Sequence, residues 1–178
     1  MPGAHRLATE HPMVRLDIPT GIPFDDFTSA FEGVAPMFDL GAAVPAGESQ
    51  RSWQDFQAAV AEKAPNELMI FGKIEATQAM ALAGHQTKCT EYLLGNPVTA
   101  EGMFRYQPAA LLYAPLRILV HSDDHDRAIF TLDQPSVVFG GFGIPQVTEV
   151  GVGLDRKVAN ILKLIGVEPP EALAGPAE

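Results

Sequence analysis

A chain of 178 residues with 47% apolar and 19% charged residues is long enough to bury one hydrophobic core and too apolar to remain disordered. Its net charge of -10, with only twelve Lys and Arg scattered along it, is repelled by phosphate backbones and sets nucleic acid aside as a partner. The single cysteine, Cys89, excludes an internal disulfide and a cysteine-only metal site.

Met13 to Ile18 alternates apolar and charged residues, the pattern of a half-buried strand. Pro23 opens a helix with Phe24, Phe27, Phe31 and Val34 at steps of three and four, and Pro36 closes it. Residues 38–50 are small and rich in Gly and Pro, an irregular connection. Ser52 caps a second helix with Asp55 in its first turn and Trp53, Phe56 and Val60 facing inward. Leu68 to Ile74 is a buried strand, and Ala76 to Ala83 a short helix stopped by Gly84. A strand over Thr90 to Leu94 leads into Asn96-Pro97, an N-cap followed by a first-turn proline, for a helix running toward Tyr106. Leu111 to His121 is a long strand interrupted at Pro115, and the polar Ser122 to Asp126 turn returns it as a hairpin through Ala128 to Asp133. The Gly-rich run from Phe139 to Pro145 is expected as a flexible turn, since it lacks the features of a phosphate-binding loop. Leu154, Val158, Ile161, Leu162 and Ile165 then make an amphipathic C-terminal helix ended by Gly166.

Strands separated by short helices predict an α+β fold: a two-layer α/β sandwich with a mixed sheet, helices mainly on one face, a closing β-hairpin and a C-terminal helix. One domain is expected over 13–166, between a disordered or extended tail at 1–12 and a flexible tail at 167–178. No apolar run reaches the roughly 18 residues that span a bilayer. No signal peptide is read at the N-terminus, so no membrane association and a cytoplasmic location are expected. A two-layer fold leaves one sheet face bare, and a second copy in a homodimer is its simplest cover.

Ile70 to Glu75 (Ile-Phe-Gly-Lys-Ile-Glu), Leu93 to Pro97 (Leu-Leu-Gly-Asn-Pro), Ala114 to Val120 (Ala-Pro-Leu-Arg-Ile-Leu-Val) and Asp133 with Pro135-Ser136 together resemble the bacterial domain of unknown function 302 (DUF302) family, whose fold is called TT1751-like. The resemblance implies a homodimeric α/β sandwich with room for a small-molecule pocket. It brings no catalytic residues with it.

Arg117 is the first candidate for chemistry. It shares a strand face with Leu119 and His121, and a cation set among large apolar residues requires an anion, either the acidic group of an apolar ligand or a salt bridge to Glu75 or Glu91. Asn96, Glu91, Tyr113 and Tyr92 complete the expected ligand-binding set, with Phe71 and Phe104 adding aromatic surface. Glu75 or His85 could serve as acid or base in an enzyme that uses Arg117 to stabilise an oxyanion. A haem or metal protein would draw on His85, His121 or His125, the last two flanking Asp123, Asp124 and Asp126. No particular cofactor is implied. The leading expectation is a dimeric protein that binds a small, apolar, acid-bearing molecule near Arg117.

Overall fold

The computed structural model describes residues 8–39 and 52–174. Strand β1 (Arg15–Pro23) begins two residues into the expected alternation and bends where its register shifts between Pro19 and Pro23. Helix α1 (Phe24–Val34) buries Phe24, Phe27 and Phe31 along one face, as the spacing requires. Helix α2 (Trp53–Lys63) starts in a capping box: Ser52 Oγ accepts from the Asp55 amide at 3.1 Å, and the Asp55 carboxylate accepts from the Ser52 amide at 3.1 Å. Strand β2 (Met69–Glu75), helix α3 (Thr77–Leu82) and strand β3 (Cys89–Gly95) follow. Gly84, just past α3, takes the left-handed backbone (φ 87°) expected of a glycine stop.

Helix α4 (Pro97–Phe104) is capped by Asn96, whose Oδ1 accepts from the amides of Val98 (2.9 Å) and Thr99 (3.3 Å). The expected strand from Leu111 is shorter than its apolar run suggests. Pro108–Tyr113 is instead a 3-10 turn, a cis peptide joins Ala114 to Pro115, and β4 covers only Leu116–Ser122. Strand β5 (Arg127–Asp133) completes the hairpin. The stretch expected as a turn from Phe139 starts within the end of helix α5 (Pro135–Gly140), and helix α6 (Pro145–Leu164) starts nine residues before Leu154. Beyond α6, Val167 and Leu173 are both buried in the main core.

The five strands run in the order β1-β5-β4-β3-β2, every neighbour antiparallel. The expectation of a mixed sheet is thereby corrected. A parallel crossover needs a dozen or more residues, usually as a helix laid along the sheet. Residues 76–88 between β2 and β3 are numerous enough, but their six-residue helix α3 is only about 9 Å long against about 23 Å for a seven-residue strand, too short to lie along the sheet, and β3 returns beside β2. One parallel contact exists among the described residues, the isolated bridge from Met37 to Ile70.

Alternation assigns the two sheet faces. Tyr92, Leu94, Ile118, Val120, Phe130 and Leu132 point into the core with the phenylalanines of α1 and with Leu154, Val158 and Ile161 of α6. Phe31 meets Tyr92 and Phe130 edge-to-face at 5.1 and 5.7 Å. The opposite face carries Glu91, Leu93, Arg117, Leu119 and His121, none of them fully buried. No described helix is long and apolar enough to cross a membrane.

Candidate functional site

Two cavities open at the end of the sheet where β3 stops and β4 starts. The larger, about 440 Å³, lies between α2, α4, the 3-10 turn and the segment Ala114–Leu116. Its walls are Trp53 and Phe56 from α2, Phe71 at the bulge of β2, Met103 and Phe104 from α4, and Leu111. Trp53 stacks on Phe56 at 5.4 Å and remains 43% exposed at the edge of this space. Gly95 lies between these walls, where a Cβ would make ordinary contact with Pro115 at 3.5 Å and the Phe71 ring at 3.6 Å.

The polar groups on the rim are already engaged. Asn96 spends its oxygen on the α4 cap and donates from Nδ2 to the carbonyl of Glu67 at 2.8 Å. Glu67 holds a left-handed backbone (φ 65°) to offer that carbonyl. Thr99 Oγ1 accepts from Lys157 Nζ at 3.1 Å, and the same ammonium pairs with Glu67 at 3.1 Å. Glu101 is bound by Arg105 one turn on. A molecule in this cavity therefore meets apolar surface almost everywhere.

The second cleft, about 400 Å³, shares Pro115 and Leu116 as a common wall with the first. Arg117 and Asp133 bring charge to it, and Met13, Leu112, Tyr113 and Val138 bring apolar surface. Tyr113 is fixed by its hydroxyl, 2.7 Å from His11 Nε2, and by edge-to-face contact with Phe142 at 5.9 Å. His11 Nδ1 is buried and has no hydrogen-bond partner among the described residues.

The residues singled out in the sequence scatter across the fold. Arg117 lines the second cleft, is exposed, and pairs with neither Glu75 nor Glu91. Glu75 lies in register with Thr90 and Glu91 with Ile74, so the two carboxylates occupy opposite faces and share no site. Glu75 is instead paired with Lys73 at 2.6 Å. Tyr92 belongs to the core, its hydroxyl donating to Glu32 Oε1 at 2.8 Å while Lys73 holds the same oxygen at 2.9 Å. Burial, and then the Glu32 contact, push the Tyr92 phenol far above its ordinary value. Burial alone would raise Glu32, but the bonds from Lys73 and Tyr92 outweigh it and hold that carboxyl below its ordinary value.

His85 is exposed just after Gly84, and His125 sits in the hairpin turn. In that turn Asp123 Oδ1 accepts from the amides of His125 and Arg127, both at 2.8 Å, which holds its carboxyl low. His121 is half-buried on the open face. Among the described residues no group of three or more His, Cys, Asp or Glu could hold a metal ion. Burial, with Glu91 nearby, pushes the Cys89 thiol up, away from reactivity.

Met103, Leu111, Leu154 and Asp133 were not anticipated as lining residues. Phe71 and Phe104 were counted as aromatic supply, and Trp53 as an inward helix face, without a reason to converge. The reason is that α4, which starts two residues after β3 ends, packs against α2 and the 3-10 turn and so brings its side chains to theirs.

Comparison with known proteins bears on the fold and leaves the site open. A family model described as "Domain of unknown function DUF302" matches residues 46–165. A solved structure, an uncharacterized conserved protein DUF302 from Bacillus stearothermophilus, is similar, with a TM-score of 0.58 at 12% sequence identity. The likeness covers 86% of this chain and 97% of that one. At that identity it shows the fold alone. No curated protein matches the chain.

Proposed function

The chain belongs to the DUF302 family, and on the character of its larger cavity we propose that it binds a small, predominantly apolar molecule. One observation carries the reading. A space of about 440 Å³ is walled by Trp53, Phe56, Phe71, Met103, Phe104 and Leu111, while the side chains of Asn96, Thr99 and Glu101 at its rim are committed elsewhere. Ligand sites commonly fall between about 300 and 1,000 Å³ and are lined mainly by apolar and aromatic groups. Each 100 Å² of apolar surface removed from water favours binding by about 2.5 kcal/mol before ordering costs.

The acid group expected on this ligand was assigned to Arg117, which opens into the neighbouring cleft. The larger cavity therefore needs no charge in its occupant. Acid–base roles for Glu75 and His85 draw no support from position, because both are exposed and neither lines either cavity. Association of two copies through the open sheet face remains part of the proposal. Leu93, Leu119 and Ile129 stay partly exposed on that face, and Leu119→Asp should then reduce the sedimentation coefficient to that of a monomer. A wild-type chain that sediments as a monomer at high concentration removes the dimer.

Trp53 is the only tryptophan in the chain, so it reports on the cavity directly. Titration with the uncharged probe N-phenylnaphthylamine should quench Trp53 emission saturably as the probe brightens. Ala100→Phe, which fills the cavity from α4, should abolish both signals while the melting temperature stays near wild type. Binding that does not saturate, or that survives the filled cavity, rejects the proposal.

A further inference from the structure

We propose that the second cleft is a separate site for a small zwitterion with an apolar side chain, the chemistry of an apolar α-amino acid. The hairpin register sets up the charges. Ile118 pairs with Leu132, so the next step along brings Arg117 beside Asp133, both on the face opposite those core residues. Adjacent strands lie about 4.8 Å apart. That spacing offers a guanidinium and a carboxylate side by side, as an ammonium and a carboxylate on one carbon require.

Neither charge is neutralised by a described residue. Arg15 stands across from Asp133 in the β1–β5 pairing, but its guanidinium is turned to Asp17 at 3.1 Å. Lys73 and Lys88 are likewise committed, to Glu32 and Glu75 and to Asp25 and Asp126. The remaining walls, Met13, Leu112, Pro115, Leu116 and Val138, suit a branched side chain.

Electrostatics selects against single charges. An anion gains a forked contact with Arg117 but is repelled by Asp133, and a cation meets the reverse. Only a ligand bearing both signs satisfies both groups, through charge-assisted hydrogen bonds to each. This site is independent of the apolar cavity, and either can fail without the other.

The test is calorimetric titration of the whole chain with L-leucine, with isocaproate (leucine without its amino group) and with isoamylamine (leucine without its carboxylate). Leucine should bind saturably and each analogue at least about tenfold more weakly, a difference of about 1.4 kcal/mol. Arg117→Gln and Asp133→Asn should each abolish leucine binding while N-phenylnaphthylamine still titrates Trp53, which shows that the fold is intact. If isocaproate binds as tightly as leucine, the cleft is a plain anion site and the proposal falls. If all three are silent, the cleft holds no amino acid, and the proposal falls equally.

Discussion

Gly151 and Gly153 lie two residues apart on α6 and should respond to the same substitution with opposite signs. A Cβ at Gly151 would stand 2.9 Å from Phe139 Cβ, 3.0 Å from the Pro135 carbonyl oxygen and 3.1 Å from Ser136 Cα. None of these is the tip of a flexible side chain, so α5 itself would have to move. It cannot move freely, because Asp155 on α6 accepts from the Ser136 amide at 3.0 Å and pins the start of α5. Alanine in mid-helix is favoured over glycine by about 1 kcal/mol. Overpacking against an unyielding wall costs about 3 kcal/mol. Gly151→Ala should therefore lose about 2 kcal/mol, a fall of roughly 4–8 °C in melting temperature for a domain of this size. A Cβ at Gly153 meets nothing within 4 Å, so Gly153→Ala should gain up to about 1 kcal/mol from propensity alone. Urea unfolding of both variants, with unchanged m-values, measures the contrast. Equal stabilisation by the two alanines would refute the close crossing of α5 and α6.

Asp155 is 1% exposed, and burial raises its carboxyl above the ordinary 3.8 despite the bonds from Ser136 and Gln134. A raised carboxyl favours the fold while protonated, and that contribution is lost as pH rises through the elevated value. Asp155→Asn keeps an acceptor for the Ser136 amide and cannot ionise, so its stability should improve relative to wild type as pH climbs through the carboxylate range; parallel pH profiles from denaturant titrations would contradict this. Tyr92→Phe leaves the core ring in place but takes one donor from Glu32, at a cost of about 1 kcal/mol at neutral pH. Since Glu32 is held below its ordinary 4.5, its share of stability is present above that value and disappears as pH falls through the depressed one. The Tyr92→Phe penalty should shrink in acid, and one that grows there would overturn the assignment.

Much of this fold could be read locally. The phenylalanine spacing of α1, the Ser52 box and the Asn96-Pro97 cap each encode their element within a short local stretch, and each element forms where expected. What failed depends on distant partners. Pro135 to Gly140 is too short to declare itself a helix and owes its start to a carboxylate on α6. Leu111 to Tyr113 reads as strand by apolarity, yet it turns in a 3-10 coil before Pro115. Strand direction is not legible locally, because alternation of strands and helices resembles a crossover pattern whatever the helix length. Both cavities are products of convergence, with Trp53, Phe71 and Phe104 arriving from separate elements. The meeting of Arg117 with Asp133 is equally hidden, since counting outward from an Asp123–Asp126 turn puts Arg117 opposite Leu132, and only the observed register, with Ser122 opposite Ala128, brings it to Asp133.

The order of strands also bears on how the chain assembles as it is made. β1 has β5 as its one partner in the sheet, and the Thr131 hydroxyl that bonds Asp17 at 2.8 Å lies 114 positions further along. Synthesis from the N-terminus delivers β1 and the three phenylalanines of α1 long before that partner exists. β2, β3 and β4 pair with immediate successors and can form a meander on their own. The nascent chain must therefore carry an unpaired strand and an uncovered aromatic helix face until β5 emerges, and that interval is when chaperone capture or misassociation would strike.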